Sequence, residues 1–160
     1  MPYIKKIKIP LLWLRRRTSD REFMLISSVL VGLTAGLAAV VLKSLVHYIH
    51  LLLAYGNRLL DQPYWLVVFP LIGILLTVFL VRVMFNGSIG RGTANILFNI
   101  SQKSSIVERH KMYSHVLTSG ITAGFGGSAG LESPIVVTGS AIGSNFGRDY
   151  HLNYRDRTLL

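Results

Sequence analysis

The stretch Gly124-Phe-Gly-Gly-Ser-Ala-Gly-Leu-Glu-Ser-Pro134 decides how this chain is read. It is glycine-rich and opens into an apolar run over residues 135–146. Glu132 sits at the junction, and no other Asp, Glu, Lys or Arg occurs between residues 112 and 147. Burying a lone carboxylate among small apolar residues is costly, so such an acid points to a gate or relay inside a membrane protein. The plainer alternative is a helix cap or one member of a packing ion pair.

Working outward, the composition fits a bilayer rather than water. Apolar residues make up 51% of the chain and charged residues 15%, against about 25% charged in soluble domains. Residues 23–42 form a run of twenty without charge, and residues 64–81 a run of eighteen. At about 1.5 Å per helical residue, each run can cross a hydrocarbon core about 30 Å thick. The expected fold is therefore all-α, a polytopic membrane protein with two spanning helices and two or more short broken or re-entrant helices. Three segments are expected: a basic amphipathic start over residues 1–20, a transmembrane domain over 21–147, and a polar tail over 148–160.

The net charge is +10, and its placement says more than its size. Lys5, Lys6, Lys8, Arg15, Arg16 and Arg17 precede the first run; Arg82, Arg91, Lys103, Arg109 and Lys111 follow the second. The loop between the runs carries only Arg58 and Asp61. The positive-inside rule then puts both basic flanks, and the N-terminus, in the cytoplasm. The expected location is the cell inner membrane or plasma membrane, in a multi-pass arrangement. Topology accounts for the basic residues, and no stacking platform or recognition helix goes with them. The lipid bilayer is thus the expected partner of the basic flanks, and no nucleic acid is. The first apolar run is too long for a signal peptide and lacks a small-x-small cleavage site, so it is expected to stay in the mature chain. The chain has no cysteine, which excludes thiol catalysis, disulfides and cysteine-ligated metals.

Along the chain, Ser19 and Asp20 suit the cap of a helix that starts near Arg21 and runs to about Tyr55. Gly32 and Gly36 form a GxxxG pair with Ala39 near the same face, a stripe that favours close helix contact. Tyr64 and Trp65 read as interfacial anchors of the second run, and Pro70 implies a kink. A short helix is expected at about 93–101, a third apolar helix at 111–123 and a fourth at 134–146, the last two too short to span. Gly120, Gly124, Gly139 and Gly143 read as helix-contact positions. Ser119, Ser128, Thr138 and Ser140 read as interhelical hydrogen bonders. His47 and His50 lie three apart, but without an acidic or third imidazole partner they make no metal site.

A helix N-terminus carries unpaired amides and a partial positive charge. Glycine and proline place two such ends here, at 90–93 and at Ser133 and Pro134. Two converging ends would hold an anion without a buried lysine. The Glu132 carboxylate, beside one of them, would compete for that position and exchange protons. Arg91 would draw anions toward an inner vestibule, or simply mark the membrane boundary. No Ser-His-acid arrangement is present, and the glycine motif lacks the lysine of a phosphate loop. Glu132 also lacks a second polar group to serve it as a catalytic base, so the chain is not expected to be an enzyme, and no cofactor is expected.

Gly130-Leu131-Glu132-Ser133-Pro134 resembles the GREGP motif of the voltage-gated chloride channel family, which comprises channels and chloride/proton antiporters. The wider stretch over 126–143 resembles that motif with the helix it opens. The resemblance implies that Glu132 is the gating glutamate and that Gly130, Leu131, Ser133 and Pro134 line the outer anion site. The family's GSGIP motif aligns without a gap on Gly90-Arg91-Gly92-Thr93-Ala94, with Arg91 in place of the chloride-contacting serine. A shifted alignment uses Gly87-Ser88-Ile89 and keeps a serine, Ser88. Leu131 and Ser133 replace the usual arginine and glycine. The resemblance implies transport of chloride or a similar anion, passive or proton-coupled, by a homodimer in the full-length form. It covers only the N-terminal part of the family fold: the second repeat, the GxFxP segment, the pore tyrosine and the inner proton glutamate have no counterpart. The 160-residue chain accordingly reads as an incomplete fragment of a transporter. The alternative is a non-conducting membrane structural or modulatory protein that associates with a full-length channel.

Overall fold

The structure, a computed structural model, describes residues 19–60, 65–85, 92–102, 105–128 and 130–160, without the side chains of residues 20, 57–60 and 65–67. The basic start over 1–18, the loop residue Asp61 and Tyr64 lie outside the described residues. Helices account for the regular structure: α1 (Asp20–Leu60), α2 (Trp65–Met84), α3 (Thr93–Ser101), α4 (Lys111–Gly124), α5 (Glu132–Asp149) and α6 (Tyr154–Leu159).

The expectation of two spanning helices is corrected to one. Among the described residues only Arg21–Gly56 is both long and apolar enough to cross a membrane. In α2 the described apolar stretch is Val68–Met84, short of a span. The uncharged run over 64–81 includes Tyr64, outside the described residues, and the first turn of α2; the apolar helix that is described is shorter than the run.

Helix α1 begins where its capping residues dictate. The Ser19 carbonyl accepts from the Phe23 amide at 3.0 Å, and the Glu22 carboxylate accepts from the Ser19 amide at 3.1 Å. That second bond is the returning half of a capping box. The helix is 41 residues long, with no glycine or proline break strong enough to stop it before Leu60.

Glycines set how closely the helices approach, but not the glycines of the GxxxG pair. Gly32 and Gly36 face open space, with nothing within 4 Å of a side chain built on either. The close contacts are on α4. Gly120 lies against Leu42 and Leu45 of α1, and Gly124 against Ile49. The numbering rises together on both helices, so α1 and α4 run in the same direction. Helix α2 runs opposite to α4: Gly73 faces Phe125, the Thr77 and Thr122 hydroxyls meet at 2.9 Å, and the Phe85 and Tyr113 rings lie 5.9 Å apart. Helix α2 continues through Pro70, whose ring packs 3.6 Å from the Gly126 position. Helix α5 is antiparallel to α1, with Gly139 beside Ala35 and the Tyr150 and Phe23 rings edge to face at 6.3 Å.

Residues 148–160, which read as a polar tail, contribute to the core. Tyr150 and Leu152 are buried with Phe23, and Met24, Phe146 and Leu160 pack around them. Their apolar side chains are spaced too irregularly to show as an amphipathic pattern. Gly143 faces the Leu160 carbonyl rather than a neighbouring long helix. None of Ser119, Ser128, Thr138 and Ser140 bonds between helices among the described residues, and the buried Thr138 hydroxyl has no hydrogen-bond partner. That work falls to Thr77 and Thr122, and to Ser144 and Asn145.

Candidate functional site

The site is built where α3 and α5 begin. Gly92 is the N-cap of α3, with φ 61° and ψ −138°, a backbone setting open to glycine and strained for other residues. A side chain on Gly92 would meet the Ser133 hydroxyl at 3.4 Å. Two helix N-termini, one from each glycine motif, therefore lie side by side. Gly90, Arg91 and Ser88 fall outside the described residues, so Gly92 alone represents the first motif here.

At the second motif, Leu131 is the N-cap of α5 and makes no side-chain cap bond. The Leu131, Glu132 and Ser133 amides donate to no described group, and Pro134 has no amide proton to place. The first helical bond runs from the Ile135 amide to the Leu131 carbonyl at 3.4 Å. Pro134 is buried and fixes the first turn, while Glu132 and Ser133 are exposed. Gly130 has open space around it. The Glu132 carboxylate stands at the positive end of its own helix and takes no hydrogen bond or ion pair from any described residue.

What holds α3 against α5 is a polar clamp at the opposite end of α3. The Ser144 hydroxyl accepts from the Val107 amide at 2.9 Å and donates to the Ser105 carbonyl at 2.7 Å. The Asn145 carboxamide donates to the Val107 carbonyl at 3.2 Å and the Ala141 carbonyl at 2.7 Å. Residues 105–107 in turn hold α3, through Asn99 to the Ile106 carbonyl at 3.2 Å and the Ser105 amide to the Asn99 carbonyl at 3.2 Å. Ser105 has φ 43°, so the segment turns sharply to reach both partners. Sequence reading missed Ser105, Ser144 and Asn145. The available signal was Ser144-Asn145, two adjacent polar residues in the otherwise small and apolar stretch between Ser140 and Arg148.

Two ion pairs brace the same end. Arg109 meets Asp149 at 2.8 Å, and the buried Lys111 ammonium meets Glu108 at 3.3 Å. Lys111 opens α4, where a cation faces the positive helix end, and Glu108 offsets that cost. Among the described residues no group of three or more His, Cys, Asp or Glu is arranged to hold a metal ion.

The comparison with known families covers the part of the chain that holds both glycine motifs. The model of the voltage gated chloride channel family matches residues 72–160, more than half of the chain. The chain belongs to that family. No curated protein and no solved structure matches it. Family and spanning helix together define a membrane-associated protein of the channel and ion-transport class. Proteins of that class are not catalysts of covalent chemistry, so the chain is not an enzyme.

Proposed function

We propose that the paired starts of α3 and α5 form part of a transport site for chloride or a similar anion, with Glu132 as its gate. One observation carries this reading: Gly92, the N-cap of α3, lies against Ser133 in the first turn of α5. The amides of Leu131, Glu132 and Ser133 then supply donors and the two helix ends supply positive potential, which suits an anion. Gly130 and Pro134 shape the backbone of the second turn; Gly90 and either Arg91 or Ser88, outside the described residues, are the members that the family resemblance adds to the site. The Glu132 side chain can occupy the anion position, and proton exchange on it would couple the two species. In this reading the N-terminus is cytoplasmic, and the full-length form is a multi-pass homodimer.

Glu132 and Ser133 are exposed, so the described residues surround the anion on one side only. The chain therefore binds an anion without conducting it, until further ligands close the shell. Chlorine NMR line broadening on the purified chain tests the binding. Chloride broadening that nitrate or bromide reverses is expected, stronger in Glu132→Gln and weaker in Gly92→Ala. Asp156→Asn makes the same charge change elsewhere and should leave the signal unaltered. Equal broadening in all four proteins would reduce the effect to the general positive charge and remove the site.

A further inference from the structure

A second feature, on α1, is independent of the glycine motifs. Val40, Lys43, Ser44, His47 and Tyr48 line a concavity of about 300 Å³. Their spacing of three and four puts them on one helix face. That face points away from α4, which instead takes Leu42, Leu45 and Ile49. Lys43 and His47 are exposed, and Lys43 pairs with no carboxylate among the described residues.

Depth and continuity say what covers this face. The uncharged run over 23–42 ends at Leu42, so at about 1.5 Å per residue it traverses about 30 Å of hydrocarbon and leaves Lys43 at headgroup level. Along the same face toward the membrane centre, Leu33, Leu37 and Val40 are exposed at 61%, 58% and 61%. A cation, an imidazole and a hydroxyl thus sit directly above an uncovered apolar track. Tyr48, exposed at 69%, adds an amphipathic ring of the kind that favours the interface. This is the profile of one lipid molecule: a negative head above a hydrocarbon chain.

We propose that the concavity of Val40, Lys43, Ser44, His47 and Tyr48 is a headgroup site for an anionic phospholipid. Its phosphate meets Lys43 with Ser44 and His47 as further donors, and an acyl chain lies along Val40, Leu37 and Leu33. Native mass spectrometry of the detergent-purified chain tests it, with phosphatidylglycerol and phosphatidylcholine of identical acyl chains as probes. The chain should retain phosphatidylglycerol in preference to phosphatidylcholine. In Lys43→Gln/His47→Gln the retained phosphatidylglycerol should fall about fivefold, the loss expected for removing one basic residue at an anionic surface. Lys43→Arg should keep it. Both positions are exposed, so the variants should fold, which helix content by circular dichroism checks. Unchanged retention in the double variant would assign the lipid to other basic residues and overturn the proposal. Soluble glycerol phosphate binding as tightly as the lipid would remove the role of the apolar track. A change of oligomeric state in the double variant would assign the face to a second copy of the chain. Either of these last outcomes also overturns it.

Discussion

At single positions, a few atoms decide whether the candidate site can exist. Gly92 combines a positive φ with the nearness of the Ser133 hydroxyl. Replacing it by alanine should cost about 1–2 kcal/mol of backbone strain and reshape the first turn of α3. Thermal unfolding in detergent measures the first effect, and the NMR titration the second. Ser144 satisfies the Val107 amide in a buried setting, so Ser144→Ala leaves that amide unpaired and should destabilise by about 1–3 kcal/mol. Ser140→Ala, on the same helix but in no interhelical bond, is the comparison. Tyr150 is shifted by its surroundings: burial raises its phenol above the ordinary 10.0, and the Asp149 charge adds to the rise. The neutral phenol is favoured in the folded chain, so its contribution to stability is complete below pH 10 and is lost as pH climbs through the folded value. Unfolding followed from pH 9 to 11.5 should show a steeper decline in the native chain than in Tyr150→Phe.

Helix by helix, contact sorts glycines that look alike in sequence. Gly32 and Gly36 form the recognisable GxxxG pair, yet alanine at either meets nothing and should be neutral or stabilise the chain by up to about 1 kcal/mol through helix propensity. Alanine at Gly124 would lie 2.8 Å from Ile49, and at Gly73 it would collide with Phe125. Both should destabilise by about 1–3 kcal/mol, the range for overpacked cores. Unfolding midpoints of the four single variants test the ranking. A loss at Gly36 as large as at Gly124 would show that the open face of α1 is covered by another molecule. The helix boundaries themselves were largely readable. The short helix at 93–101 and the apolar helix ending near Gly124 appear where glycine, proline and polarity change. Helix α5 begins two residues before the expected Pro134 because Glu132 and Ser133 are good first-turn residues.

Across the whole molecule, the proposed anion site is open on the side that Glu132 faces, so flux should require more than this chain supplies. In liposomes carrying a potassium ionophore, inserted chain alone should give no saturable chloride efflux. Rapid efflux lost in Glu132→Gln would show that copies of the chain complete the shell for one another. Local sequence determined much of this protein. Charge-free length, glycine placement and the isolated Glu132 gave the membrane class, the helical fold and the family resemblance, because each is a property of neighbouring residues. Three features were decided only in the tertiary structure: that Gly92 meets Ser133, that Gly120 and Gly124 rather than Gly32 and Gly36 are the contact glycines, and that Ser144 and Asn145 clamp residues 105–107. Each depends on which helix faces rotate toward one another. That rotation minimises buried unpaired polar groups and voids over all the helices at once, and a periodic pattern along one helix does not encode it.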